Sequence, residues 1–141
     1  MSATRDALVA LARGAAARAH APYSGIHVGA AIRSGAGALY SGANVENAAY
    51  PLGNCAETSA IAAGVAAEGA RFRIAETAVF ALDAAGQAIA ISPCGGCRQR
   101  IREFAPDGRA LVHFPGPGGA MRAATIDELL PHAFELPGSG H

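Results

Sequence analysis

The chain has 141 residues, of which 51% are hydrophobic and 16% are charged, and its formal net charge is zero. These values predict one globular domain spanning residues 1–141 and argue against disorder and against the basic surface of a nucleic-acid-binding protein. No apolar run approaches the ~18 residues of a membrane span, and the start of the chain lacks the pattern of a signal peptide, so we expect a cytoplasmic protein with no membrane partner.

Hydrophobic periodicity divides the chain into alternating helices and strands, which predicts an α/β sandwich around a mixed sheet. Residues 88–91 indicate either a short strand or an extended approach to the next helix, and residues 131–141 indicate a tail. The predicted elements are a helix over 4–20 with Thr4 as its N-cap, a hairpin of strands over 28–33 and 38–42, a helix over 55–68, a strand over 74–82, a helix over 94–104, strands over 109–114 and 121–124, and a helix over 126–130 capped by Thr125.

All three cysteines of the chain stand at the predicted starts of two helices. Cys55 is followed two residues later by Glu57, and Cys94 and Cys97 lie in a Pro-Cys-x-x-Cys motif, which is the order of parts found in zinc-dependent nucleobase deaminases. Three thiolates leave the fourth position of a tetrahedral zinc open for water, as in catalytic sites. The motifs therefore predict one Zn²⁺ held by Cys55, Cys94 and Cys97, with Glu57 handling the protons of that water.

Each of these fragments has a simpler interpretation when taken alone. A C-x-x-C motif is more often a structural zinc site or a redox pair, and a glutamate near a helix start is usually a surface charge that complements the helix dipole. A closed structural site needs a fourth ligand, and none of the five histidines has a local C-x-x-H spacing to a cysteine. A structural zinc module without turnover remains the alternative from a different functional class.

Several short stretches lie around these motifs and extend over nearly the whole chain. They are Pro22-Tyr23-Ser24, Val28-Gly29-Ala30-Ala31, Gly42 to Ala48, Tyr50-Pro51-Leu52-Gly53, Cys55-Ala56-Glu57, Ser92 to Gln99, Arg102-Glu103-Phe104 and Leu129-Leu130-Pro131. With them, the chain resembles the small, single-domain cytidine deaminases. The resemblance implies a three-layer αβα sandwich with a mixed five-stranded sheet, a homotetramer, and one Zn²⁺ per subunit.

The resemblance also implies a reaction, namely hydrolysis of cytidine and deoxycytidine to uridine and deoxyuridine plus ammonia in pyrimidine salvage. Zinc-bound hydroxide attacks C4 of the base, and Glu57 serves as the proton shuttle, acting as both base and acid. The substrate is then a small-molecule nucleoside.

The resemblance assigns further residues to substrate binding. Asn44 and Glu46 match ribose-binding residues, and because they are two apart in an extended segment, both point to the same face. Without the resemblance, the simpler interpretation is a solvated polar turn. The backbone N–H of Ala56 matches a contact with the base. Tyr50 and Phe134 match residues at the subunit interface, where the aromatic ring of Phe134 closes the pocket, often that of a neighbouring subunit.

Two positions depart from many relatives. Thr58 stands where they have an arginine that donates to a zinc thiolate, so we expect a more negative site unless another arginine, such as Arg98, offsets it. Ile26 stands near the pyrimidine where many relatives have phenylalanine; it can pack on the base but offers no aromatic edge. These changes affect affinity and rate more than the type of reaction.

Two related activities compete with nucleoside deamination. Blasticidin S deaminases share the zinc motif but differ on the sugar side, and the intact Asn44-Val45-Glu46-Asn47 favours ordinary nucleosides. A polynucleotide deaminase is disfavoured by the neutral charge and by the small number of aromatic residues available to stack on bases.

Overall fold

The computed structural model describes residues 3–138, and its centre is a five-stranded sheet with strand order β2-β1-β3-β4-β5. β3 and β4 run parallel and the other neighbours are antiparallel, so the sheet is mixed, as predicted. The strands are β1 (His27–Ser34), β2 (Leu39–Ala43), β3 (Ile74–Leu82), β4 (Leu111–Pro115) and β5 (Met121–Thr125).

Helices cover both faces of the sheet and make a three-layer αβα sandwich. Leu8 and Ala12 of the first helix pack against Ala31 and Phe80 on one face, whereas the other face packs against the remaining helices through residues such as Ile32. The helices are α1 (Ala3–Ala16), α2 (Ala56–Glu68), α3 (Gly95–Glu103) and α4 (Ile126–Leu129), with short 3₁₀ turns at Tyr50–Leu52, Gly69–Arg71 and Pro117–Gly119.

Two glycines of the hairpin let helices approach the sheet closely. A Cβ added at Gly29 would lie 1.9 Å from the carbonyl oxygen of Ala12 in α1. On the opposite face, a Cβ at Gly42 would lie 2.5 Å from the backbone nitrogen of Ala60 in α2. The close approach at Gly42 brings α2 against the strand that leads into the Asn44 segment.

The first helix is shorter than predicted. It begins at Ala3, so Thr4 lies within it and is not its N-cap, and it ends at Ala16, not at residue 20. The backbone N–H of His20 donates to Asn44 O at 3.1 Å, and the N–H of Glu46 donates to His20 O at 2.9 Å. This bridge requires an extended backbone at His20, which the helix pattern did not reveal.

The remaining elements follow the predictions with small shifts at their ends. Residues 88–91 form an extended approach, joined to β3 by one isolated bridge and by Ile89 N–H donating to Ala81 O at 3.0 Å. The predicted cap of α4 is confirmed, because Thr125 and Glu128 form a reciprocal capping box. None of the helices within the described range has the length and apolar character needed to cross a membrane.

Candidate active site

The three cysteines meet where two helices begin. Cys55 is the N-cap residue of α2, Cys94 is the N-cap residue of α3, and Cys97 lies in the first turn of α3. Their Sγ atoms all lie within 4.8 Å of one another, and none is in a disulfide. Tetrahedral zinc with Zn–S bonds of about 2.3 Å places its sulfurs roughly 3.8 Å apart. The donor set and its spacing therefore fit a zinc ion.

The surroundings of the thiols differ. Burial raises the pKa of Cys55 and of Cys97, and the negative charge of Glu57 adds to the effect at Cys97. The backbone N–H of Cys97 is the main cause that lowers the pKa of Cys94, as expected at the start of a helix. A divalent cation at the centre would offset the cost of ionising the thiols of Cys55 and Cys97.

Glu57 is a buried carboxylic acid beside this cluster. It lies in the first turn of α2, and only 4% of its surface is exposed. Burial raises its pKa, while hydrogen bonding with the thiol of Cys97 and the charge of Arg100 act in the opposite direction. A raised pKa is the direction expected of a carboxyl group that both accepts and donates a proton during a reaction.

A single cavity of about 570 Å³ contains this cluster, and its size is in the range of small-molecule sites. Of the predicted substrate residues, Asn44, Glu46, Tyr50 and Ala56 line it, together with all three cysteines and Glu57. The other lining residues are Tyr23, Ser24, Val28, Val45, Asn47, Gly53, Asn54, Ile91 and Ser92.

Two further residues were predicted to contact substrate, namely Ile26 and Phe134. Neither is among the residues that line the cavity within the described range, 3–138. Ile26 is 42% exposed and lies two residues before Val28, which does line the cavity. Phe134 is 70% exposed in the C-terminal tail.

Backbone hydrogen bonds fix the orientation of Asn44. Its Oδ1 accepts a hydrogen bond from Val28 N–H at 2.8 Å, and its Nδ2 donates to Ile26 O at 2.9 Å. The side chain therefore joins the end of β2 to the beginning of β1 while it lines the cavity. The amide of Asn44 can still form two more hydrogen bonds, because Oδ1 has a second lone pair and Nδ2 has a second hydrogen.

Glu46 is held in the same way. Its Oε1 accepts hydrogen bonds from the backbone N–H groups of Tyr23 at 2.9 Å and Ser24 at 3.1 Å, and its Oε2 accepts one from the hydroxyl of Ser24. The hydroxyl and backbone donors of Ser24 lower the pKa of Glu46. Glu46 is therefore an ionised acceptor at neutral pH.

The tail that carries Phe134 is attached to α3. Gln99 makes a reciprocal pair of hydrogen bonds with the Phe134 backbone, donating from Nε2 to the carbonyl oxygen at 3.0 Å and accepting from the N–H at 3.1 Å. Arg102 pairs with Glu135 at 2.5 Å. These contacts fix the Phe134 backbone while its ring remains exposed.

The suggestion that Arg98 offsets the charge of the thiols finds no support among the contacts of the described residues. Its guanidinium donates to the carbonyl oxygens of Pro93 at 2.8 Å and Leu129 at 3.1 Å, and these carbonyls fix its direction. Instead, Nη1 of Arg100 lies 4.0 Å from Sγ of Cys97. Sequence reasoning missed Arg100, although its spacing of three from Cys97 places both residues on one face of a helix.

Comparisons with known proteins agree with this geometry. Residues 2–112 match the family described as the cytidine and deoxycytidylate deaminase zinc-binding region. A cytidine deaminase of Sporosarcina psychrophila is 40% identical over 129 residues, which cover 92% of this chain and 90% of that protein. A blasticidin-S deaminase of Bacillus cereus is 33% identical over 107 residues, which cover 74% of each protein.

A solved structure gives the same result. The crystal structure of cytidine deaminase from Burkholderia pseudomallei is 36% identical to this chain and superimposes with a TM-score of 0.79, covering 95% of this chain and 100% of that one. The αβα fold and the family predicted from the sequence motifs are thus confirmed. The chain belongs to the cytidine and deoxycytidylate deaminase family and is a zinc-dependent hydrolytic deaminase.

Proposed function

We propose that residues 1–141 form one deaminase domain that converts cytidine and deoxycytidine to uridine and deoxyuridine plus ammonia, in pyrimidine salvage. The observation that carries the proposal is the juxtaposition, in one cavity, of three thiol sulfurs within 4.8 Å of one another and the buried carboxyl group of Glu57. That combination suits hydrolysis at a carbon of a small ring better than it suits a purely structural ion.

Cys55, Cys94 and Cys97 are the proposed zinc ligands. When bound, zinc acts as a Lewis acid that lowers the pKa of a coordinated water toward neutrality. The three cysteines hold the ion at the cavity wall, and the helix N-termini on which they stand favour the thiolate form.

Glu57 is the proposed proton shuttle. Its carboxylate accepts a proton from the attacking water and delivers it to N3 of the base, which makes C4 more electrophilic. It then carries the second proton to the departing amine, so that ammonia leaves and the base becomes a uracil. One carboxyl group can serve at both stages because both proton positions lie on the same side of a planar ring. Burial raises its pKa above that of an ordinary glutamate.

The proposed substrate contacts follow the cavity wall. Asn44 and Glu46 hydrogen-bond the sugar through the donor and acceptor sites that the backbone leaves free, and the N–H of Ala56 contacts the base. Ile26 is proposed to pack near the pyrimidine. Because its side chain is exposed, this contact requires the loop before β1 to contact the substrate directly or together with a neighbouring subunit.

A homotetramer is the proposed assembly, in the cytoplasm. Tyr50 is 75% exposed at the cavity, and Phe134 presents an exposed ring on a tail that α3 holds in place. Burial of these rings against another copy of the chain would remove their apolar surface from water. We propose that Phe134 closes the pocket of a neighbouring subunit. The cytoplasmic proposal is supported by three unpaired cysteines, which a reducing compartment preserves.

The experiment is deamination of cytidine, deoxycytidine and blasticidin S measured side by side, with zinc content determined on the same sample. We expect turnover of both nucleosides and little or none of blasticidin S. Preference for blasticidin S would favour the second candidate, which the 33% identity to a blasticidin-S deaminase supports. Full zinc with no reaction on any of the three compounds would favour a structural zinc module.

A further inference from the structure

One cation lies directly against the thiol cluster. Arg100 follows Cys97 by three residues on α3, and its Nη1 lies 4.0 Å from the Cys97 sulfur. A Cβ added at Gly96 would lie 3.1 Å from the same Nη1 and 4.0 Å from Sγ of Cys94. The guanidinium of Arg100 therefore lies over the first turn of α3, beside the C-x-x-C pair, where Gly96 has no side chain to displace it.

The other two arginines of α3 are directed elsewhere. Arg98 donates to backbone carbonyl oxygens of Pro93 and Leu129, and Arg102 pairs with the carboxylate of Glu135. Among the α3 arginines, Arg100 is the one whose guanidinium contacts a cysteine sulfur. A negative cluster formed by three thiolates and the neighbouring Glu57 is the environment in which such a cation is most stabilising.

The sign of its effect on metal binding follows from charge. When zinc binds and three thiol protons leave, the local charge changes by +2 − 3 = −1. A fixed positive charge beside the sulfurs favours that change, and its removal disfavours it. Hydrogen bonds to metal-bound thiolates also fix the direction of the ligand.

We propose that Arg100 is a positioning residue of the zinc centre: its guanidinium donates to the Cys97 sulfur and offsets the negative charge of the three-thiolate site. It thereby supplies, from α3, the positive charge that Thr58 on α2 lacks. This inference rests on the proposed assignment of Cys55, Cys94 and Cys97 as the zinc ligands.

The test compares Arg100→Met, which removes the charge, with Arg100→Lys, which keeps it. The control is Arg71→Met, a change at an exposed arginine in the 3₁₀ turn after α2. Zinc affinity is measured by competition with a chromophoric chelator at fixed pH. We expect Arg100→Met to bind zinc roughly 10- to 100-fold more weakly, Arg100→Lys to recover most of that loss, and Arg71→Met to match the unaltered protein.

Two further readouts separate charge from damage to the fold. The thermal unfolding temperature of the metal-free protein should be the same in all variants, because Arg100 is exposed. The thiolate-to-cobalt absorption of the Co²⁺-substituted proteins should retain the intensity of three sulfur ligands. Raised salt should shrink the difference between Arg100→Met and the unaltered protein, because mobile ions screen the charge.

Two outcomes would overturn the proposal. One is Arg100→Met with the zinc affinity of the Arg71→Met control, and the other is equally weakened binding in Arg100→Met and Arg100→Lys, which would assign the effect to shape and not to charge. Neither outcome would contradict the proposed function. The proposed function would be contradicted if a Cys94→Ala, Cys97→Ala double variant still bound zinc with unchanged affinity.

Discussion

The backbone N–H of Tyr23 donates a hydrogen bond of 2.9 Å to the carboxylate of Glu46. The contact joins the loop before β1 to the segment after β2, and both segments contribute residues to the cavity lining. A carboxylate offers about four acceptor sites. Tyr23 and Ser24 occupy three of them, which leaves one for a sugar hydroxyl. In the proposed function, Glu46 therefore holds the loop through three acceptor sites and a nucleoside through the fourth.

The first prediction concerns the sugar. Glu46→Gln should reduce kcat/KM for cytidine by roughly 10- to 100-fold, as expected for a lost hydrogen bond to a charged group. The same change should have little effect on a cytosine nucleoside that lacks the sugar hydroxyls. Ser24→Ala is the control, because it removes a loop contact but keeps the carboxylate. If Glu46→Gln and Ser24→Ala lower the rate equally for both substrates, Glu46 serves the loop and not the sugar.

The second prediction concerns pH. Because hydrogen bonds from Ser24 lower the pKa of Glu46 in the folded chain, the contacts of this carboxylate are fully present above the ordinary glutamate range and are lost as pH falls through the lowered value. The hydrogen bonds from Tyr23 and Ser24 to Glu46 should therefore persist through the ordinary titration range of a glutamate. The backbone amide signals of Tyr23 and Ser24, followed by NMR during acidification, should shift only below the usual titration range of glutamate. A shift centred near or above that range would contradict this assignment.

The third prediction concerns Glu57. Glu57→Gln should leave zinc content unchanged, because the residue is not among the proposed ligands, and should reduce kcat for cytidine by about 10²–10⁴-fold or more. Zinc content and kcat measured on the same preparation provide the check. Near-normal turnover in this variant would remove Glu57 from the mechanism, and loss of zinc would make it a ligand.

The fourth prediction concerns Phe134. Phe134→Ala should lower kcat/KM without changing zinc content. The control is Leu39→Ala, a change at an exposed position at the start of β2, which should leave kcat/KM unchanged. If the ring acts on a neighbouring subunit, mixed assemblies of Phe134→Ala and Glu57→Gln chains should be more active than the average of the two separate proteins. A Phe134→Ala site that lies next to a Glu57→Gln chain then receives the ring of that neighbour. Simple averaging of the two activities would rule out action between subunits.

The fifth prediction concerns the packing of α1 on the sheet. Gly29→Ala should destabilise the fold by about 1–3 kcal/mol or more, because the added methyl group meets the carbonyl oxygen of Ala12 and neither backbone can move freely. Gly14→Ala is the matched control: nothing lies within 4 Å of its added Cβ, and alanine favours a helix by roughly 1 kcal/mol. Denaturant unfolding should give opposite signs for the two variants. Equal effects would contradict the close approach at Gly29.

The sequence patterns predict most of the fold, because local signals and the structure agree. The capping box at Thr125 is an example, as is β3, whose observed bounds are those predicted. The predicted end of α1 is wrong. The backbone of His20 pairs with the segment after β2 and is not helical, and hydrophobic periodicity carries no information about such pairing. Arg98 and Arg100 show a similar limit. The sequence does not reveal that backbone carbonyl oxygens bind the guanidinium of Arg98, whereas that of Arg100 lies near the thiol of Cys97.

The cysteine motifs predict a cluster that the fold does bring together, although Cys94 lies 39 positions after Cys55. The sequence does not predict that the side chains of Asn44 and Glu46 form most of their hydrogen bonds with residues 23–28. These bonds depend on the close approach of residues 23–28 to residues 44–46, which is a tertiary contact and leaves no local signature.

In the proposed site, three sulfur atoms hold the zinc and leave one position for water. X-ray absorption spectroscopy at the zinc edge of the loaded protein tests it most directly. We expect three sulfur neighbours at about 2.3 Å and one light oxygen neighbour at about 2.0 Å, without the outer-shell scattering of an imidazole ring. A fourth sulfur, or a histidine in the remaining position, would contradict it.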